Sequence, residues 1–240
     1  MTIYFTSPFN KIYDDHVIIA YDGAKQARKI AGTLFVDSGI FKTDRTLKKI
    51  LHGQKYGDII AAPDVSGNVD KTVENTIEWY RYAEMTHEID QMCFPLQGNT
   101  FDEYMDCYRR IAKEIKGIEY VGIGGLTPKG DVRVKELLPL VNKFQQELKI
   151  KVHLFGLGYK WLPYVAEYKP YSMDSSKAIM DALNCVIRNE RLQCLQVAPS
   201  HGETQEIRSL LYQINVYQLR RYLDTFNHAA QTKLDFGIED

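Results

Sequence analysis

The chain has 240 residues, 45% of them hydrophobic and 25% charged, with a net charge of −1 at neutral pH. That is the make-up of a globular protein with a sizeable core, long enough for one large α/β barrel or two small domains. It excludes the global basic field of many nucleic-acid binders, so any nucleic-acid surface must be a local patch.

The four cysteines, Cys93, Cys107, Cys185 and Cys194, have no Cys-x-x-Cys spacing, so neither a zinc site nor a disulfide framework is indicated. The first residues lack the basic and long apolar regions of a signal peptide. No run approaches the ~18 apolar residues of a membrane span. The expected setting is reducing and cytoplasmic, with no membrane partner.

In chain order, residues 3–6 read as a first strand closed by Ser7 and Pro8, and residues 17–20 as a second ended by Asp22 and Gly23. Residues 24–30 read as a short helix, and 33–36 as a strand that stops at Asp37, Ser38 and Gly39. A helix over 45–51 carries a basic face from Lys48 and Lys49. Residues 58–62 form a strand ending at Pro63 and Asp64, and Asp70 is placed to cap a helix running to about Ile89. Residues 91–96 are a strand ending at Gln97, Gly98 and Asn99. Thr100 then caps a helix whose apolar face, Phe101, Tyr104, Met105, Tyr108, Ile111 and Ile115, follows the 3.6-residue period.

The apolar run 120–123 reads as a buried strand that passes straight into Gly124 and Gly125. Residues 132–148 are expected as one amphipathic helix, and 150–155 as a strand ending at Gly156. A weaker strand over 170–173 ends at Asp174, and a helix follows. Residues 194–197 are a candidate last strand, and 204–226 a long closing helix with Arg208, Arg220 and Arg221.

Short strands alternating with longer helices imply a parallel sheet. With about eight such units and no linker-like stretch, the expected fold is α/β, a (β/α)8 TIM barrel in a single domain over residues 1–240. The competing architecture is an open doubly wound sheet. It usually has a Gly-rich first turn, of which Asp22-Gly23-Ala24 is a poor version.

In a parallel barrel Asp37, Asp64, Gln97, Gly124, Gly125, Gly156 and Asp174 all meet at one rim. Carboxylates and an amide converging on bare glycine backbone make a polar site with acid/base capacity. The plain reading of any one aspartate there is a helix cap. The glycines at 122, 124 and 125 do not form a phosphate loop, because no Lys-Ser/Thr follows and Pro128 interrupts the helix start.

Taken in order, Asp37-Ser38-Gly39, Asp64, Gln97-Gly98, Gly124-Gly125-Leu126, the run from His153 to Gly158, and Met173-Asp174 resemble the motifs of the tRNA-guanine transglycosylases. In that family the blocks read Asp-Ser-Gly-Gly, Phe-Asp-Glu, Gln-Gly, Gly-Gly-Leu, Leu-Met-Gly-Val-Gly and Phe-Asp-Cys. The likeness spans roughly residues 33 to 180. It implies a pentosyltransferase that exchanges a guanine in nucleic acid for a 7-deazaguanine, with no cofactor.

By that resemblance Asp174 is the nucleophile on C1′ of the nucleotide, and Asp37 the general acid/base for the leaving and entering bases. Asp64 would accept from the N1–H and exocyclic amine of the base. Gln97, Gly98, Gly124 and the Gly125 N–H would address the carbonyl edge, and the Leu126 backbone the 7-substituent. Phe41 and Phe155, beside Gly156, would sandwich the base; their plain reading is core packing.

The sequence also departs from the family pattern. Ile40 replaces a glycine, Lys42 stands where the family often has Gln, and Asp64 has no acidic neighbour. The family's C-terminal zinc module is absent, and Cys185, Cys194 and His201 cannot rebuild it. In the tRNA enzymes that module supports RNA docking and dimerisation. The chain is therefore more similar to the compact branch that places preQ0- or preQ1-type deazaguanines in phage or bacterial DNA. The expected partner is DNA in preference to tRNA, with a homodimer left open. Lys42, Arg45, Lys48, Lys49 and Lys160 are the candidates for a phosphate patch; their plain reading is solvated surface charge. Two other readings are a non-catalytic nucleic-acid-binding subunit of this fold and an unrelated barrel glycosidase. The second leaves Gln97 and the paired glycines unexplained.

Overall fold

The computed structural model describes residues 1–6, 14–39, 46–86, 91–126, 131–196 and 205–235. Eight short runs form parallel strands: β1 (Thr2–Thr6), β2 (Asp14–Ala20), β3 (Ala31–Asp37), β4 (Ile59–Ala61), β5 (Gln91–Leu96), β6 (Tyr120–Ile123), β7 (Lys151–Leu154) and β8 (Ser172–Ser175). Each pairs with its neighbour in sequence, and β8 closes on β1 with Tyr4 opposite Asp174. The sheet is thus a closed (β/α)8 barrel, and the open doubly wound alternative is excluded.

Between the strands lie α1 (Ala24–Ala27), α2 (Leu47–Gln54), α3 (Val69–Thr86), α4 (Phe101–Glu114), α5 (Asp131–Leu137), α6 (Pro139–Asn142) and α7 (Leu162–Tyr168). After β8 come α8 (Lys177–Leu183), β9 (Val186–Arg188), β10 (Cys194–Gln196) and α9 (Gln205–Asp235).

The chain divides into two compact units. The first, Met1–Leu157 with Tyr168–Ser175, holds the whole barrel. Its interior is filled by Tyr4, Ile18, Phe35, Ile59, Ala61, Cys93 and Tyr120, with Phe155 packed against them. Helix α4 begins at a capping box: Thr100 accepts from the Glu103 N–H, and Glu103 reaches back to the Asn99 N–H at 2.6 Å. Gln54, fully buried, accepts from the Trp79 indole N–H at 2.7 Å and donates to the Ala61 carbonyl at 2.6 Å. One amide thereby ties α2 to both α3 and β4.

The second unit is Gly158–Glu167 with Ser176–Asp240. Here β9 and β10 form an antiparallel pair. Asn215 on α9 holds it, accepting from the Arg188 N–H and donating to the Val186 carbonyl. Buried Asp181 is matched by Arg188 at 2.7 Å and Lys177 at 2.8 Å. A buried carboxylate with two cationic partners is adequately compensated.

Several expected elements are corrected. Residues 194–197 do not supply a barrel strand; Cys194–Gln196 pairs with β9 instead, because β8 already closes the barrel. The helix expected over 132–148 is broken into α5, α6 and a π-helical turn, Lys143–Glu147. Pro139 stands at the break, where its missing N–H interrupts the helical ladder. Helix 24–30 is only one turn long. Asn68, not Asp70, caps α3 by accepting from the Lys71 N–H, and Asp70 pairs with Arg110.

Replacing Gln54 by Leu leaves the Trp79 N–H and the Ala61 carbonyl unpaired in the core. Each buried orphan costs roughly 1–3 kcal/mol. The expected result is a lower urea midpoint with an unchanged slope. A midpoint equal to that of the parent protein would show that the amide is not a tie.

Candidate functional site

Side chains alternate along a strand, so the residue two positions beyond an inward-facing core residue also faces inward, one layer nearer the rim. Phe35 on β3 is in the barrel core, and Asp37 is two residues on, at the strand's last position. Cys93 leads by the same step to Pro95 and then Gln97, just past β5. Tyr120 leads to Gly122 and Gly124, His153 to Phe155, and Ser172 to Asp174. All these positions lie at the C-terminal ends of parallel strands, where barrel sites are built.

One group of residues is gathered around β6. Gln97, almost fully buried, donates from Nε2 to Asp64 Oδ2 at 2.5 Å and accepts at Oε1 from the Gly67 N–H at 3.2 Å. The two bonds fix which way the amide points. Gly124 is what makes room for it, since a Cβ there would stand 2.2 Å from Gln97 Nε2. The Gly124 N–H pairs with the Leu96 carbonyl, and the Gly124 carbonyl accepts from Tyr104 at 2.5 Å. The next N–H belongs to Gly125, whose φ of 66° is open to glycine and costly for other residues. Leu126 beside it is buried. Gly98 has a different role: a Cβ there would meet the first turn of α4 at 2.9 Å.

Below this group lies Cys93. Burial pushes its thiol well above the ordinary range, and the Asp37 and Asp64 carboxylates push it further. Asp37 Oδ2 also accepts from the Gly39 N–H at 3.1 Å, which shapes the turn that leaves β3.

A second group surrounds Asp174. The sequence placed this residue just after a strand, where an aspartate commonly caps a helix. It lies instead inside β8, and the N-cap of α8 is Ser176. Asp174 Oδ1 accepts from the Gly156 N–H at 2.8 Å and lies 3.2 Å from His153 Nε2. His153 is fully buried, with its Nδ1 2.8 Å from Ser172 Oγ, and Ser172 in turn is hydrogen-bonded to the Tyr120 hydroxyl. Phe155 lies edge-on to His153 at 4.4 Å and to Phe35 at 5.9 Å. Its ring occupies the space that a side chain at Gly122 would take, 2.2 Å from the missing Cβ. Phe155 thus packs on the barrel core while remaining partly exposed beneath the rim.

The structure therefore joins Asp64, Gln97 and Gly124 directly, joins Asp174 to Gly156 directly, and brings Phe155 to Asp174 through His153, while Asp37 stands at the end of β3. Lys48 and Lys49 are exposed in the first turn of α2, and Lys160 stacks over Trp161 in the second unit. Phe41, Lys42 and Arg45 lie outside the described residues. Sequence reasoning gave no role to Ser172 or Tyr120 and used His153 only as part of a motif. Their step of two residues below Asp174, Gly122 and Phe155 was the available signal.

Among the described residues no cluster of His, Cys, Asp and Glu could hold a metal ion, and no helix is long and apolar enough to cross a membrane. No family model matches the chain, and a comparison with curated proteins found no match.

Gly124→Ala forces Gln97 off Asp64, and overpacking of this kind costs about 1–3 kcal/mol. Gly158→Ala, which meets nothing within 4 Å, is the control and should stay within about 0.5 kcal/mol of the parent in chemical denaturation. Equal stability of the two variants would remove the spatial role of Gly124.

Proposed function

We propose that the protein is a guanine transglycosylase acting on nucleic acid, with DNA as the favoured substrate. The observation that carries this reading is the Asp64–Gln97 pair seated on Gly124, beside the Gly125 N–H. A guanine-type edge offers two neighbouring donors, N1–H and the exocyclic amine, next to one carbonyl acceptor. A carboxylate accepts from both donors, and the second Nε2 proton of Gln97 and the Gly125 N–H are donors for the carbonyl. Glycosidase chemistry calls for a pair of carboxylates and leaves the Gln97 amide unused.

In this reading Asp174 attacks C1′ of the target nucleotide and forms a glycosyl ester, as a carboxylate nucleophile can. Asp37 gives a proton to the departing base and takes one from the incoming base. Phe155 supplies an aromatic face under the purine. The target nucleotide must leave the stack to reach a rim of this kind. The similarity to the tRNA-guanine transglycosylases supports the same assignment. Lys48 and Lys49 would meet phosphates there; two surface lysines alone do not identify a strand.

Incubation with labelled guanine or a labelled 7-deazaguanine, and either duplex DNA or tRNA, tests the reading. The expected result is incorporation into DNA; incorporation into tRNA alone would move the substrate, and none into either would overturn the activity. Asp174→Asn should abolish covalent trapping on a guanine-containing strand. Asp64→Ala should weaken guanine binding by about 10- to 100-fold, the worth of a hydrogen bond to a charged group.

A further inference from the structure

The Asp174 carboxylate is held unevenly. Both of its protein donors, the Gly156 N–H and the His153 ring, address Oδ1. Oδ2 has no hydrogen-bond donor among the described residues. The ring is itself held from behind by Ser172 and, through Ser172, by Tyr120. Tyr4, Phe35, Tyr120 and Phe155 surround the imidazole with ring centroids 4.4–6.4 Å away, which leaves it no room to turn.

We propose that His153 is a positioning residue for Asp174: the buried chain Tyr120–Ser172–His153 clamps Oδ1, so that Oδ2 is the oxygen that attacks.

The chain has only one self-consistent set of protons. An ionised carboxylate accepts and cannot donate, so His153 Nε2 carries the hydrogen. Nδ1 is then an acceptor, which takes the Ser172 hydroxyl proton, and Ser172 Oγ accepts from the Tyr120 hydroxyl. Reversing the chain would leave the Tyr120 proton without an acceptor among the described residues. Burial pushes the Tyr120 phenol far above its ordinary range, so it remains a donor. Every hydrogen thus points toward Asp174, and the Nε2–H tautomer is locked.

This role rests on Asp174 being the nucleophile. In the attack, an Oδ2 lone pair forms the bond to C1′ as the bond from C1′ to the base nitrogen breaks, and that electron pair leaves with the base, which Asp37 protonates. Oδ1 becomes the ester carbonyl oxygen and keeps both donors. In the second half a ring-nitrogen lone pair of the incoming base forms the bond to C1′ as the C1′–Oδ2 bond breaks, and the electron pair of that bond returns to the carboxylate. The His153 and Gly156 N–H groups then stabilise the charge that reappears, while Asp37 takes the proton of the incoming base. His153 moves no proton in either half.

The test compares His153→Phe, which keeps a ring but no donor, with His153→Gln, whose Nε2 can stand near the original donor. His153→Phe should lower kcat for base exchange by about 10- to 100-fold, with KM for the base unchanged. His153→Gln should recover most of that loss. An unchanged kcat in His153→Phe, or an equal loss in both variants, would overturn the positioning role. Asp174→Asn separates the two layers. If it retains exchange, the nucleophile assignment fails, and this inference with it; if it is dead while His153→Phe is fully active, only the inference fails. The histidine nitrogens of the unaltered protein, read by 15N NMR, give a result that needs no variant to fold. A neutral ring with the hydrogen on Nε2 is expected, and a protonated ring or the Nδ1–H tautomer would overturn the proposal.

Discussion

Closing eight parallel strands into one barrel imposes a parity on each of them, and the rest of the structure depends on it. Once Phe35, Cys93, Tyr120, His153 and Ser172 face inward, the next inward positions toward the rim are settled as well. They are Asp37, Gln97 by way of Pro95, Gly124 by way of Gly122, Phe155 and Asp174. A slip of one residue in any strand would turn its rim residue to the outer face. The pairing of β1 with β8, Tyr4 opposite Asp174, therefore does more than close the sheet, because it brings the Asp174 carboxylate onto the inner face above His153.

Strand β6 serves this arrangement by withholding side chains. Its inward positions above Tyr120 are both glycine, and neighbours from other strands occupy the vacated space. The Phe155 ring from β7 fills the place over Gly122, and the Gln97 amide from β5 fills the place over Gly124. Interiors are close-packed, so a missing side chain in one strand is a defined volume for another. The two glycines do different work from Gly125, whose requirement is its backbone angle and not its space. Three glycines within four residues thus have three separate physical reasons.

The sequence disclosed the βα alternation, the closed barrel and the rim positions, because each depends on local apolar runs and on what stands at their ends. It was silent on matters decided by other parts of the chain. Residues 194–197 look like any short strand, and only the occupied β1–β8 seam shows that the barrel has no place for them. Pro139 was visible, yet the apolar period on either side of it concealed the break. Asp174 reads as a cap candidate because the strand expected over 170–173 ends two residues before the observed one. His153, Ser172 and Tyr120 are far apart in sequence, and what joins them is inter-strand register, with Gly122 opposite His153 and His153 opposite Ser172. Counting back two residues from Asp174 and Phe155, and four from Gly124, reaches all three.

The polar chain beneath Asp174 is not explained by the fold. A barrel interior is filled as well by aliphatic side chains, and replacing a buried polar cluster with apolar residues of like volume is often neutral or stabilising. A histidine, a serine and a tyrosine hydroxyl in that place are tolerable only because each is paired, since a half-satisfied network is worse than none. This chain runs along the line that ends on Asp174, while Ile18, Ile59 and Ala61 elsewhere in the same core are apolar. The direction of the chain matters as well, because hydrogens that all point one way favour an ionised acceptor at its end. The need that these three residues answer is thus set by the carboxylate above them, and it is a need for one oxygen held and the other left open.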